Sequence, residues 1–181
     1  MKKITCFYII ILFLFSCNDY RKQISGEVKK LEQEVTKKFD KEKASKLLTT
    51  YSKFIEKFPE DTTCKSYMIK GTEVSILKED PSNAIKFINM FLEKYPSDPR
   101  APLMQFKKAI VSDLLVHDPI KAVSEYELFN SKYPNHPMRK DAENAILLIR
   151  DPEAFTRMLT AKDSVAVDTL VANGEINGTN H

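Results

Sequence analysis

FLEKYPSD, residues 91–98, returns in nearly the same words on either side: FIEKFPED at 54–61 and FNSKYPNH at 129–136. The three copies stand 37 and 38 residues apart. Set in register on Pro59, Pro96 and Pro134, each has an apolar or small residue 12 positions upstream: Leu47, Ala84 and Ala122. Four residues after these come Tyr51, Ile88 and Tyr126, and seven after them Phe54, Phe91 and Phe129. Steps of four and then three place all three positions on one side of an α-helix. The phrase therefore marks the end of a helix that the chain builds three times.

The punctuation agrees. Asp80-Pro81, Asp118-Pro119 and Asp151-Pro152 precede helical stretches. An Asp at the N-cap accepts from an orphan backbone N–H, and a Pro at the next position has no N–H to leave unsatisfied. At the far end the residue before each repeated proline is pushed out of the α region, so the helix stops there. Asp98-Pro99 and His136-Pro137 are expected to start the next helix in the same way. Further apolar groups fill the intervals: Tyr67, Gly71 and Val74, then Phe106, Ala109 and Ile110, then Met138, Ala142, Ala145 and Ile146. Upstream, Val28, Leu31, Val35 and Phe39 form one more stripe, and the interleaved Lys29, Lys30, Lys37 and Lys38 read as its solvated face. Helix pairs are predicted at 25–58, 62–95, 100–133 and 137–159. One pair buries only part of its apolar surface, and stacking completes the core.

A second helix reading A-x₃-F with a proline beyond its end resembles the tetratricopeptide (TPR) repeat. Ala84 to Ile88 with Pro96 and Ala122 to Tyr126 with Pro134 carry the resemblance, and Leu47 to Tyr51 with Pro59 has a larger residue in the alanine slot. The first helices depart from the family: the chain has no Trp, and Lys108 and Asp141 fall near places where it favours small or apolar residues. The resemblance covers 25–160 and implies an all-α TPR-like solenoid of three to four repeats.

The N-terminus, MKKITCFYIIILFLFSC, has a positive start and an apolar run from Ile4 to Phe15 broken only by Thr5. Twelve helical residues reach about 18 Å, short of a hydrocarbon core of roughly 30 Å, so the run reads as an export signal. Leu14-Phe15-Ser16-Cys17 resembles the lipobox of bacterial lipoproteins, which implies that Cys17 is acylated and becomes the mature N-terminus. The expected division is a signal peptide at 1–16, a lipidated cysteine and tether at 17–24, the repeat domain at 25–160 and a disordered tail at 161–181. Seven residues of tether after Cys17 span at most about 25 Å. Cys6 leaves with the signal and acylation consumes Cys17, so Cys64 remains as a lone core thiol with no disulfide partner.

The 181 residues are 43% apolar and 29% charged, with a formal charge of +3 of which Lys2 and Lys3 supply two. That balance offers no concentrated basic face for nucleic acid. GxSxG, HExxH, GxxxxGK[ST] and CxxC are all missing, and His117, His136 and His181 stand apart. The chain reads as no enzyme, with no cofactor and no metal. In a TPR-like superhelix the first helix of each pair lines the concave surface, which makes Glu73, Met104, Lys107, Val111, Arg139 and Glu143 candidates for a partner groove.

The lipobox together with the repeats resembles the small periplasmic TPR lipoproteins, among them the lipoprotein of the outer-membrane β-barrel assembly machine. It implies a scaffold anchored to a bacterial membrane, the outer membrane facing the periplasm, that docks envelope proteins or peptides. A small glycan- or peptidoglycan-binding, or envelope-coordinating, lipoprotein is the alternative. In the tail, Asp163-Ser164-Val165 and Asp168-Thr169-Leu170 resemble a short acceptor motif for bacterial O-glycosylation.

Overall fold

The computed structural model describes the backbone of residues 2–158 and 160, and the side chains of residues 19–158 and 160. The side chain of Cys17, the expected tail with its two acceptor-like motifs, and His181 lie outside the described residues. Among the described residues the chain is all-α, without a strand. Its helices are α1 (Lys2–Lys37), α2 (Lys41–Lys57), α3 (Thr63–Leu77), α4 (Pro81–Lys94), α5 (Ala101–Leu114), α6 (Pro119–Lys132) and α7 (Arg139–Arg150), followed by a helical segment at 152–158. Each helix packs chiefly on its neighbours in sequence. Connections of three to six residues between packed helices make every successive pair antiparallel.

All nine stripe positions read from the sequence are buried: Leu47, Ala84 and Ala122, then Tyr51, Ile88 and Tyr126, then Phe54, Phe91 and Phe129. The aspartate caps form as expected. Asp80 Oδ1 accepts from the backbone N–H of Asn83 at 3.1 Å, Asp118 Oδ1 from Lys121 at 2.9 Å and Asp151 Oδ1 from Ala154 at 2.8 Å. Asp40 caps α2 in the same manner through Lys43. Glu79 and His117, the residues just before two of these caps, take positive φ of 61° and 58°. That left-handed step turns the chain from one helix of the pair into the next.

The repeated proline phrase folds three times into one turn. Phe58, Tyr95 and Tyr133 have (φ, ψ) of (−130°, 56°), (−129°, 53°) and (−129°, 60°), and their N–H groups donate to the carbonyls of Phe54, Phe91 and Phe129. Next, Asp61 Oδ1 accepts from Thr63 N–H at 2.8 Å, Asp98 Oδ1 from Arg100 N–H at 3.0 Å and His136 Nδ1 from Met138 N–H at 3.2 Å. Here the expectation of an immediate helix start is corrected: α5 begins at Ala101 and α7 at Arg139. Asp98 and His136 close the turn through the residue two further on, as Asx-type turns do, and only then does the helix begin.

Two apolar clusters meet on α5. Met104 and Val111 belong to the larger one, which runs from Ile24 through α4. Phe106 and Ala109 belong to a smaller one with Ala122, Tyr126, Phe129 and Ala142. Cys64 is buried and free, and its Sγ lies 3.0 Å from the Phe58 carbonyl. Burial raises its thiol pKa, which keeps it protonated and unreactive.

The first helix differs from expectation at both ends. Phe39 lies beyond Lys37 and is 36% exposed, so it does not complete the stripe. At the other end, residues 19–24 are not a free tether: they are helical, with Ile24 only 2% exposed and Tyr20 against the core. Tyr20 and Ile24 continue the stripe of Val28, Leu31 and Val35 backward at steps of four, which gives this turn a buried face of its own.

Candidate partner surface and anchoring segment

The proposed groove residues divide into core and surface. Met104 is 1% exposed and Val111 0%, and both are packed between helices, so neither reaches a partner. The phase of α5 explains the correction: that helix is covered by hydrophobic clusters on two sides, which leaves little apolar surface free. Glu73 and Lys107 do come together, with Lys107 Nζ 3.4 Å from Glu73 Oε1 across α3 and α5. Arg139 and Glu143 pair within α7 at 2.9 Å, and Arg139 also donates to the Pro134 carbonyl.

The Glu73–Lys107 pair continues a line of charges that begins on α1. Lys70 Nζ lies 3.0 Å from Glu32 Oε1, and the same oxygen accepts from Tyr51 Oη at 2.7 Å. Burial first, then the Glu32 contact, pushes the Tyr51 hydroxyl pKa up, so it remains a donor. Acid and base thus alternate over α1, α3 and α5, around a cleft of about 250 Å³ that includes Val35, Val74 and Glu73. The cleft is small for a drug-sized ligand, for which roughly 300–1,000 Å³ is usual. Exposed ion pairs are worth about 0–1 kcal/mol each. Charges held so weakly can exchange partners with an incoming chain at little cost. Glu32 and Lys70 were missed in the sequence because their pairing spans 38 residues and carries no local pattern.

A second surface lies where α6 meets α7. Ile120 is 84% exposed and lines a groove of about 440 Å³ with Val123, Ile149 and the Glu127–Arg150 ion pair.

The segment that follows Cys17 is held at residues 20–24. Arg21 pairs with Asp61 in the first repeated turn and lies 6.0 Å from the Phe54 ring centroid. Tyr20 packs on Phe58 at 6.3 Å between centroids, with Lys53 Nζ 5.6 Å from the Tyr20 centroid. The Arg21 hydrogen bond, helped by those from Thr63 and opposed by burial, lowers the Asp61 pKa from 3.8 to about 2. The arrangement recurs one unit on, where Lys65 and Arg100 both reach Asp98 and lie over the rings of Tyr95 and Phe91. In the third turn His136 replaces the aspartate and packs edge-on against Phe129.

Among the described residues no group of three His, Cys, Asp or Glu side chains comes together to hold a metal ion. Nor is any described helix long and apolar enough to cross a membrane. A scan against protein-family models finds no match, and a search of curated proteins finds no significant one.

Proposed function

We propose that the chain is a membrane-anchored periplasmic lipoprotein whose TPR-like solenoid is a non-enzymatic scaffold for protein partners in cell-envelope assembly or maintenance, outer-membrane protein assembly included. The observation that carries the scaffold reading is the threefold turn. Its dihedral angles agree within a few degrees, it joins helices that pack on their sequence neighbours, and it spaces like surfaces at a fixed interval. Architectures of this kind present extended surfaces rather than enclosed sites. The weakly paired charges on α1, α3 and α5 suit a peptide or protein that brings charges of its own. The anchoring part rests on Leu14 to Cys17 after the apolar run. A glycan-binding groove would need aromatic rings on the α1–α3–α5 surface, and Tyr51, Tyr67 and Phe106 are buried between helices.

The test is crosslinking in intact envelopes. The wild-type chain should fractionate with membrane and yield one stoichiometric protein partner. Cys17→Ala should release it, and Glu73→Lys with Lys107→Glu should preserve the fold while reducing the crosslink several-fold. A Cys17→Ala chain that stays fully membrane-bound contradicts the anchor. Recovery of sugar alone contradicts the protein scaffold.

A further inference from the structure

The clamp on residues 20–24 fixes how the solenoid stands on a membrane. We infer that the edge carrying the three repeated turns, at residues 58–61, 95–98 and 133–136, faces the lipid headgroup layer, held there by the short segment between Cys17 and Tyr20. The inference rests on acylation of Cys17, as proposed above.

As free tether, seven residues would let the body stand off by about 25 Å and rotate. The structure leaves only three residues from Cys17 to the docked Tyr20, a reach of about 11 Å even when fully drawn out. Tyr20 and Arg21 dock on Phe58 and Asp61, so the chain enters the molecule at the turn between α2 and α3. Because successive helices are antiparallel, the turns after α4 and α6 lie along the same edge. The last turns of α2, α4 and α6 bring Lys57, Lys94 and Lys132 to it. Lys57 and Lys132 are exposed, and Lys94 binds Glu60 and the Pro59 carbonyl. Lysines at such an edge suit a surface of anionic headgroups. The opposite edge carries Leu77 and Leu114, each 61% exposed, and is turned away from the bilayer. Leu77 closes a 15-residue helix that starts beside Asp61, so the two edges are about 21 Å apart.

The experiment uses full-length acylated protein in vesicles that contain anionic lipid and a nickel-chelating headgroup, which quenches a nearby fluorophore over a short range. Single labels are placed at Lys57→Cys and at Leu77→Cys in a Cys64→Ser background. The expected result is several-fold stronger quenching at position 57 than at 77, with Tyr20→Ala and Arg21→Ala together bringing the ratio toward one. Equal quenching at the two positions in the otherwise native chain, or stronger quenching at 77, overturns the orientation while leaving the anchor in place. An intact mass without acyl chains overturns the anchor and the orientation with it. The comparison of 57 with 77 needs no clamp variant, so it stands even if the double alanine chain fails to fold.

Discussion

Gly71 on α3 lies directly under the Phe87 ring of α4: a Cβ built on it would meet three ring carbons at 2.9 Å. One unit later the equivalent positions are Lys108 and Glu125, and the contact is made by charge instead. Lys108 Nζ lies 2.9 Å from Glu125 Oε1, while Gln105 Nε2 donates to Glu125 Oε2 at 2.8 Å. Glu125 is only 8% exposed, so its carboxylate depends on both partners. Small-plus-aromatic and lysine-plus-glutamate are two solutions to one helix contact, which is why Lys108 stands where the repeat pattern favours a small residue. Gly71→Ala is expected to destabilise the chain by about 1–3 kcal/mol, since a rigid ring must move to admit the methyl group. Urea denaturation checks this, and an unchanged midpoint would show that Phe87 has room to shift.

At the scale of the element, the turn is where sequence and structure agree best. Asp61 and Asp98 hold it through backbone N–H groups and through cations from α1 and α3. Hydrogen bonds from Arg100 and then Lys65 keep Asp98 well below the usual carboxylate range, as Arg21 does Asp61. A carboxylate whose folded pKa is depressed adds stability above its unfolded pKa and loses it as pH falls through the folded one. For Asp61 that window runs from about pH 4 down to about pH 2. Asp61→Asn should therefore be less stable at neutral pH and show a shallower loss between those values, read from urea midpoints across pH. A variant that follows the wild-type acid arm would remove Arg21–Asp61 as a contributor. The helices, their stop prolines and the caps at Asp80, Asp118 and Asp151 could be read along the chain because each depends on residues within a turn or two. The candidate partner surface could not. Met104 and Val111 looked available from the phase of one helix alone, but their burial is decided by the cluster they share with α4. Glu125 and Gln105 are polar yet buried, because each supplies what the other lacks. Residues 20–24 read as polar tether because Arg21 and Lys22 obscure the Tyr20–Ile24 step.

For the molecule as a whole, burial falls off toward the C-terminus. Helix α4 buries Ala84, Phe87, Ile88 and Phe91, whereas α7 fully buries Ala142 alone. Local opening follows the apolar contact that must be broken, so the ends of a stacked array exchange first. Amide hydrogen exchange in α4 should be at least about a hundredfold slower than in α7. Equal protection in the two helices would mean that the chain opens only as a unit. Helix α5 decides between these outcomes, because it contributes Met104 and Val111 to one cluster and Phe106 and Ala109 to the other. The repeated turn also bears on ancestry. Its backbone bonds all close within a few residues, and Arg21 and Lys65, which reach Asp61 and Asp98, come from the helix pairs that those two turns end. A unit of 37 or 38 residues cut at this turn carries its own joint, so duplication or loss of one copy lengthens or shortens the molecule without redesigning the seam. Copy number is a quantity that selection can change in a single genetic step, and here it would set how long a row of these turns one molecule presents.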